Sequence, residues 1–159
     1  MGKYSISLKA NISGVTNLHP EDGDHYYYMI RLQCTHCREI HPNWIGVAKS
    51  DEFDVPGSRG SANLLFKCKN CRRDCNIVLE TDFQPYLLEH SETKRPIVTM
   101  ECRGCEPVEF RPDGNWACDG AETRSKFNEM DITDEWYEYD EETKEEVSIT
   151  DISWTIDRA

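Results

Sequence analysis

Apolar and polar residues alternate along most of this chain. Ile6, Leu8 and Ala10 stand at every second position, with Ser and Lys between them, and predict a strand over 4–12. Gly14 ends it, and a loop is expected through His19–Asp24. Tyr26, Tyr28, Ile30 and Leu32 alternate next and carry the chain into Cys34. Trp44, Ile45 and Val47 predict a further short strand, and residues 61–67 another that ends at Cys68. Ile77 to Leu79, then Ile97 to Glu101, continue the period of two. Near the end Ile152, Trp154 and Ile156 alternate, while Val147 and Ile149 fall in the opposite phase. That slip predicts a bulge between them.

Only residues 121–146 break the pattern. Thr133 or Asp134 looks like a helix cap there, so a short helical or irregular acidic segment is expected. The second part of the chain also echoes the first. Asn76–Glu80 resembles Ser5–Lys9, Asn115-Trp116 answers Asn43-Trp44, and the strand before Cys102 answers the strand before Cys34. The expected fold is therefore all-β, a single domain over 1–159. It is a β-sandwich of two similar halves, about 1–74 and 75–159, related by internal duplication.

The two strands that end at Cys34 and Cys68 run into cysteine pairs, Cys34-Thr-His-Cys37 and Cys68-Lys-Asn-Cys71. Two residues between sulfurs let one tight turn aim both at one centre. Two such pairs supply four thiolates, the closed tetrahedral set of a structural zinc site. Four thiolates leave no vacant position for a metal-bound water, so one Zn2+ per chain is expected to hold the fold rather than to catalyse. Iron accepts the same donors. Arg38, Lys67, Lys69, Arg72 and Arg73 beside the ligands would offset the charge of a four-thiolate site.

The remaining thiols are Cys75, Cys102, Cys105 and Cys118. Cys102, Cys105 and Cys118, with a histidine such as His90, make a weaker candidate for a second thiol or metal site. The alternative to that reading is four small apolar residues in the core.

Charge narrows the partners. The chain carries 30 acidic and 18 basic residues, a net of −12. Residues 119–159 hold 14 acidic and 4 basic side chains, a net of −10. Nucleic acid is therefore an unlikely ligand, and only the basic knuckle face offers a place for RNA or a ribosome. Trp136, Tyr137 and Tyr139 lie within the acidic part and form the candidate partner surface. The opening residues contain no apolar leader core, and no run reaches a membrane span. The expected location is intracellular, cytoplasmic and also nuclear, where cysteines at this spacing read as metal ligands before disulfides. A monomer is the default.

Several short motifs recur together: Leu8-Lys9-Ala10, Thr16-Asn17-Leu18, the two cysteine pairs, Arg59-Gly60-Ser61-Ala62, Glu101-Cys102-Arg103-Gly104, Glu106-Pro107-Val108, Trp136 and Tyr139-Asp140. In these the chain resembles the eukaryotic family of CXXC-motif-containing zinc-binding proteins. The resemblance implies an all-β fold of two similar halves and carries the metal role onto Cys34, Cys37, Cys68 and Cys71. It implies no activity.

No phosphate-binding glycine loop, nucleophile elbow or His-Glu-x-x-His helix is present, so no catalytic residue is assigned. The favoured function is a non-enzymatic binding or adaptor protein with unidentified protein partners. The runner-up is a thiol-dependent reductase or a zinc- or copper-handling protein using the spare cysteines.

Overall fold

Residues 2–159 are described by a computed structural model. The strands are β1 (Gly2–Ser13), β2 (Val15–Pro20), β3 (Tyr28–Cys34), β4 (Ile45–Val47), β5 (Phe53–Asp54), β6 (Ser61–Ala62) and β7 (Leu64–Lys67). They continue as β8 (Asp74–Leu79), β9 (Arg95–Arg103), β10 (Cys105–Arg111), β11 (Trp116–Gly120), β12 (Lys126–Met130), β13 (Trp136–Asp140) and β14 (Glu145–Arg158). The regular structure besides these is two short 3-10 turns, Gly23–His25 and Leu88–His90.

A six-stranded antiparallel sheet, in the order β13-β14-β1-β9-β8-β7, forms the base. Two three-stranded sheets, β10-β3-β4 and β12-β11-β2, are built onto it, and β5 pairs with β6. Two glycines make the transitions. β1 passes into β2 through Gly14 at φ 75°, and β9 passes into β10 through Gly104 at φ 79°. Each moves the chain from the large sheet into a small one. A Cβ at Gly104 would stand 2.7 Å from the Asp74 carbonyl oxygen, and one at Gly14 would stand 2.6 Å from Val147 Cγ1. Neither position has room for a side chain, and both need the left-handed backbone that glycine adopts without cost.

These transitions reveal a twofold pattern of pairing. β1 lies beside β9 at the centre of the large sheet. On either side stand the hairpins β13-β14 and β7-β8. The small sheets exchange partners: hairpin β3-β4 pairs with β10, while β11-β12 pairs with β2. The relation matches β1 to β9, not to β8, so the echo of Ser5–Lys9 in Asn76–Glu80 does not mark equivalent strands.

Burial follows from the alternation. Ile6, Leu8, Ile30, Leu32, Ile77 and Met100 are fully buried on the inward faces of β1, β3, β8 and β9. An aromatic chain ties the sheets together across the core. Trp116 of β11 packs 5.5 Å from Tyr26, 5.5 Å from Phe83 and 5.7 Å from Trp154, and Trp154 packs 4.8 Å from Phe110 of β10. The phase slip in β14 is real. Lys9 faces Ser153 but Asn11 faces Thr150, and Asp151 takes φ 52° in the bulge between.

The acidic stretch is the main correction. Residues 121–146 form β12 and β13 rather than a helix. The cap-like Thr133 donates its N–H and its hydroxyl to Asp131 Oδ1 at 2.9 and 2.6 Å, which is a side-chain turn between strands. Strand pairing with β11 and β14 outweighs the local signal, and the carboxylates that mask the alternation sit on the solvent side, Asp140 excepted. His19 and Pro20 likewise end β2 instead of lying in a loop.

The connection from β8 to β9 hangs on Tyr86, which is fully buried. Its hydroxyl accepts the Ala10 N–H at 3.3 Å and lies 2.6 and 2.7 Å from the His90 and Thr93 carbonyls, donating to one of them. Tyr86→Phe strands these buried groups and is expected to cost about 1–3 kcal/mol in urea unfolding. An unchanged denaturation midpoint would exclude this role.

Candidate metal centre

The two cysteine pairs occupy turns of the same construction. In the first, at the end of β3, the Cys34 N–H donates to the Glu39 carbonyl at 2.9 Å and the Arg38 N–H donates to the Cys34 carbonyl at 3.0 Å. In the second, between β7 and β8, the Cys68 N–H donates to the Arg73 carbonyl at 3.0 Å and the Arg72 N–H donates to the Cys68 carbonyl at 2.9 Å. Arg38 and Arg72 close the turns at φ 67° and 66°. Left-handed backbone costs a side-chain-bearing residue roughly 1–2 kcal/mol, so each turn depends on contacts beyond its own chain segment.

Those contacts converge on sulfur. The Sγ atoms of Cys34, Cys37, Cys68 and Cys71 lie within 4.8 Å of one another. Cys34 Sγ is 3.6 Å from Cys71 Sγ, and Cys37 Sγ is 3.7 Å from Cys68 Sγ. A disulfide would need about 2.05 Å. Four thiolates at about 2.3 Å from a zinc ion stand about 3.8 Å apart along the tetrahedral edges. The donor set therefore fits zinc in type, number and spacing. Cys34 and Cys68 are buried and Cys37 and Cys71 are half-buried. Neither nearby histidine joins them. His36 is exposed, and His41 Nδ1 accepts the Asn43 N–H at 3.1 Å while its ring packs edge-on to Phe66.

Without a cation these thiols cannot all ionise. Hydrogen bonds from the Asn70 side chain and the Glu39 N–H pull the Cys37 thiol down to about 6. The Arg73 N–H acts in the same direction on Cys71, yet burial and the three neighbouring sulfurs push it up to about 11. A divalent ion removes this conflict, because it favours the thiolate at all four positions. The basic residues share the work. Arg38 pairs with Glu106 at 2.9 Å and Lys67 with Asp74 at 2.7 Å, whereas Lys69, Arg72 and Arg73 are exposed and make no ion pair among the described residues.

The spare thiols sit elsewhere and do not form a second metal site. Among the described residues the four-cysteine cluster is the one group of His, Cys, Asp and Glu donors close enough to share an ion. Cys102, Cys105 and Cys118 are each 1% exposed. Cys118 is in β11, away from the transition at Gly104, and His90 Nδ1 is taken by the Leu87 N–H. Cys75 joins Cys102 and Cys105 instead, and its thiol donates to the Gly104 carbonyl at 3.4 Å. A hydrogen bond with Cys105, then burial, raises the Cys75 thiol well above its usual range, and a hydrogen bond with Cys102 leads the rise at Cys105. Burial lifts Cys118 to about 12. All three are held as protonated thiols.

The other two hairpin tips repeat the knuckle backbone without sulfur. The Gly120 N–H donates to the Ser125 carbonyl at 2.9 Å, as Cys34 does to Glu39. The Lys144 N–H donates to the Asp140 carbonyl at 2.7 Å, and Lys144 closes the turn at φ 60°, as Arg72 does after Cys68. The Thr35 N–H donates to the Gly104 carbonyl and the Ala121 N–H to the Gly14 carbonyl, at 3.1 and 3.0 Å. Gly120 thus stands where Cys34 stands, and Asp140 where Cys68 stands. Here the clamp is a carboxylate. Asp140, 1% exposed, accepts the Ser125 hydroxyl at 2.6 Å, the Thr123 hydroxyl at 2.8 Å and the Glu142 N–H at 2.9 Å. The Ser125 hydroxyl, with the other donors, holds its carboxyl below the usual range. The sequence marks Asp140 only as part of the Tyr139-Asp140 motif and assigns it no role, since one aspartate among many acidic residues carries no local sign of burial. Of the candidate partner residues, Trp136 is half-buried against Phe127 at 5.4 Å, while Tyr137 and Tyr139 are exposed.

Comparison with known proteins agrees with this geometry. Residues 5–157 match the family model described as CXXC motif containing zinc binding protein, eukaryotic. The chain is 48% identical over 159 residues to the UPF0587 protein C2D10.03c of Schizosaccharomyces pombe, covering 100% of both. It is 36% identical over 155 residues to the Homo sapiens CXXC motif containing zinc binding protein, covering 96% of each. The crystal structure of C1orf123 superposes with a TM-score of 0.92 at 34% identity, covering 99% of this chain and 100% of that one. A hypothetical protein from Plasmodium falciparum, at 21% identity and a TM-score of 0.88 over 99% of this chain and 100% of its own, shares the fold.

Two outcomes follow for the clamps. Cys34→Ser or Cys68→Ser should abolish zinc retention and lower the melting temperature by more than about 10 °C, because metal binding and folding are coupled. Asp140→Asn should destabilise the zinc-loaded protein in a pH-dependent way. The folded carboxyl is depressed, so its contribution is complete above the unfolded value near 3.9 and is lost as pH falls through the folded value. Chemical denaturation of both forms should show the gap at pH 7 narrowing below about pH 4. A gap independent of pH would mean that packing, not charge, holds this tip.

Proposed function

Because the chain belongs to the eukaryotic family of CXXC motif containing zinc binding proteins, we propose that it is a zinc-structured binding protein whose metal positions a surface rather than performing a reaction. Cys34, Cys37, Cys68 and Cys71 hold one zinc ion per chain. The observation that carries this reading is the closed set of four converging thiols, with no further donor beside them among the described residues. A zinc ion held by four thiolates orders its ligands and supplies no vacant position for substrate.

No reactive role is assigned to Cys75, Cys105 or Cys118. Hydrogen bonds to neighbouring cysteines at Cys75 and Cys105, with burial at all three, disfavour the thiolate that nucleophilic or redox chemistry needs. The protein acts inside the cell as a monomer, in a reducing compartment. No helix among the described residues is long and apolar enough to cross a membrane. The twofold pairing is the trace of an internal duplication in which one pair of hairpin tips uses metal and the other uses Asp140. The partner surface includes Trp136, Tyr137 and Tyr139 of β13.

The test combines metal content with thiol mapping. Protein purified without added metal should contain one zinc per chain. Alkylation at pH 7.5 should leave all eight cysteines unmodified until a chelator removes the metal, after which the four ligands react first. Fast labelling of Cys75, Cys102, Cys105 or Cys118 in the zinc-loaded protein would overturn the reading in favour of thiol chemistry.

A further inference from the structure

The twofold pairing places a groove beside each pair of hairpin tips, and the two grooves differ in chemistry. The groove at the cysteine clamp is small, about 80 Å³, and includes Ile40, His41, Pro42, Phe66 and Lys69 in its walls. The groove at the Asp140 clamp is about 440 Å³ and lies between β12 and β13, each the last strand of its sheet. Matching the clamps residue by residue sets Phe127 where His41 stands, Glu138 where Phe66 stands and Glu141 where Lys69 stands. The backbone frame is shared, while the side chains have turned from apolar and basic to aromatic and acidic.

The second groove is lined by the rings of Phe127 and Trp136, by the edge of β13 at Tyr139, and by the carboxylates of Glu138 and Glu141. Phe127 and Trp136 meet edge to face at 5.4 Å, and Tyr139 is 44% exposed. Glu138 and Glu141 line the same space and form no ion pair among the described residues. The one cation in the lining, Lys126, is taken by Asp119 at 3.0 Å. The surrounding residues 119–159 carry a net of −10, out of −12 for the whole chain. Exposed aromatic faces attract a cation placed over them, and the methylene stem of Lys or Arg packs on the same rings while its head reaches a carboxylate.

We propose that this groove receives an extended, lysine- or arginine-rich segment of a protein partner. A cationic side chain lies against Phe127 and Trp136 with its charge between Glu138 and Glu141. The site deepens the binding-protein reading above and rests on it. The occupant is set by charge complementarity: an acidic or nucleic-acid ligand would meet repulsion along the whole rim. Asp140 acts as a positioning residue, since its hydrogen bonds to Thr123 and Ser125 fix the turn that leads into β12.

The experiment uses the full-length, zinc-loaded protein and two synthetic octapeptides, one alternating lysine with valine and the other alternating glutamate with valine. Binding is followed by backbone and indole N–H shifts in nuclear magnetic resonance and by calorimetry. The lysine peptide should shift residues 125–128 and 136–141, with affinity falling as salt rises from about 50 to about 300 mM. The double variant Glu138→Gln with Glu141→Gln should weaken it about tenfold, with unchanged melting temperature and zinc content. Ile40→Ser in the other groove should leave it unaltered. Affinity insensitive to the double variant, or lysine-peptide shifts confined to Ile40 and Phe66, would overturn the proposal while leaving a binding protein. Preference for the glutamate peptide would do the same. Absence of shifts with either peptide would overturn it and remove support from the binding-protein reading as well.

Discussion

Four sulfurs within 4.8 Å of one another, with cross-tip pairs at 3.6 and 3.7 Å, are the contact on which this molecule's first face depends. The tips belong to different sheets: β3 and β4 to a small one, β7 and β8 to the edge of the large one. Nothing in the backbone pairing joins them, and the groove between them is too small to supply much apolar burial. Two arginines in left-handed backbone close the turns at some energetic cost. A cation held by four thiolates at once would offset that cost and turn two loose ends into a rigid corner.

The opposite face meets the same mechanical need by other means. There Asp140 gathers two hydroxyls and two N–H groups from the two tips, a single carboxylate in place of four cysteines. Gly120 leaves no side chain where Cys34 would stand, because a Cβ there would run into Thr123 Oγ1. A buried, hydrogen-bonded carboxylate can clamp a tip without sulfur, and it leaves the outer surface free to diverge. The divergence is what separates the two grooves. One borders Lys69 and the zinc ligands, the other Glu138 and Glu141.

Placement of the spare thiols fits the same division of labour. Cys75, Cys102 and Cys105 cluster at the Gly104 transition, where the backbone crosses from one sheet to another and only small, soft side chains fit against the Asp74 carbonyl. Tyr4, Glu106 and Arg38 then link β1 and β10 to the first knuckle through bonds of 3.1 and 2.9 Å. The metal corner is thereby tied to the central strand pair rather than hanging from loops.

Alternation of Ile6-Leu8-Ala10, Tyr28-Ile30-Leu32 and Ile77 with Leu79 determines the strands β1, β3 and β8 without further help, since a period of two admits one buried face. The spacing of Cys34-Cys37 and Cys68-Cys71 determines the donor set in the same way, because ligand geometry is local within each pair. The out-of-phase Val147 and Ile149 even foretell the bulge at Asp151. What the sequence leaves open is everything decided between distant segments. β12 and β13 form because β11 and β14 offer them partners, against a local acidic pattern that reads as a capped helix. The match of β1 to β9, the exchange of hairpins between small sheets and the role of Asp140 depend on contacts about 100 positions apart or on turns that share little with their counterparts beyond Arg38 and Arg124. Local residue patterns encode local geometry; equivalence of two hairpin tips exists only once the chain has folded around both.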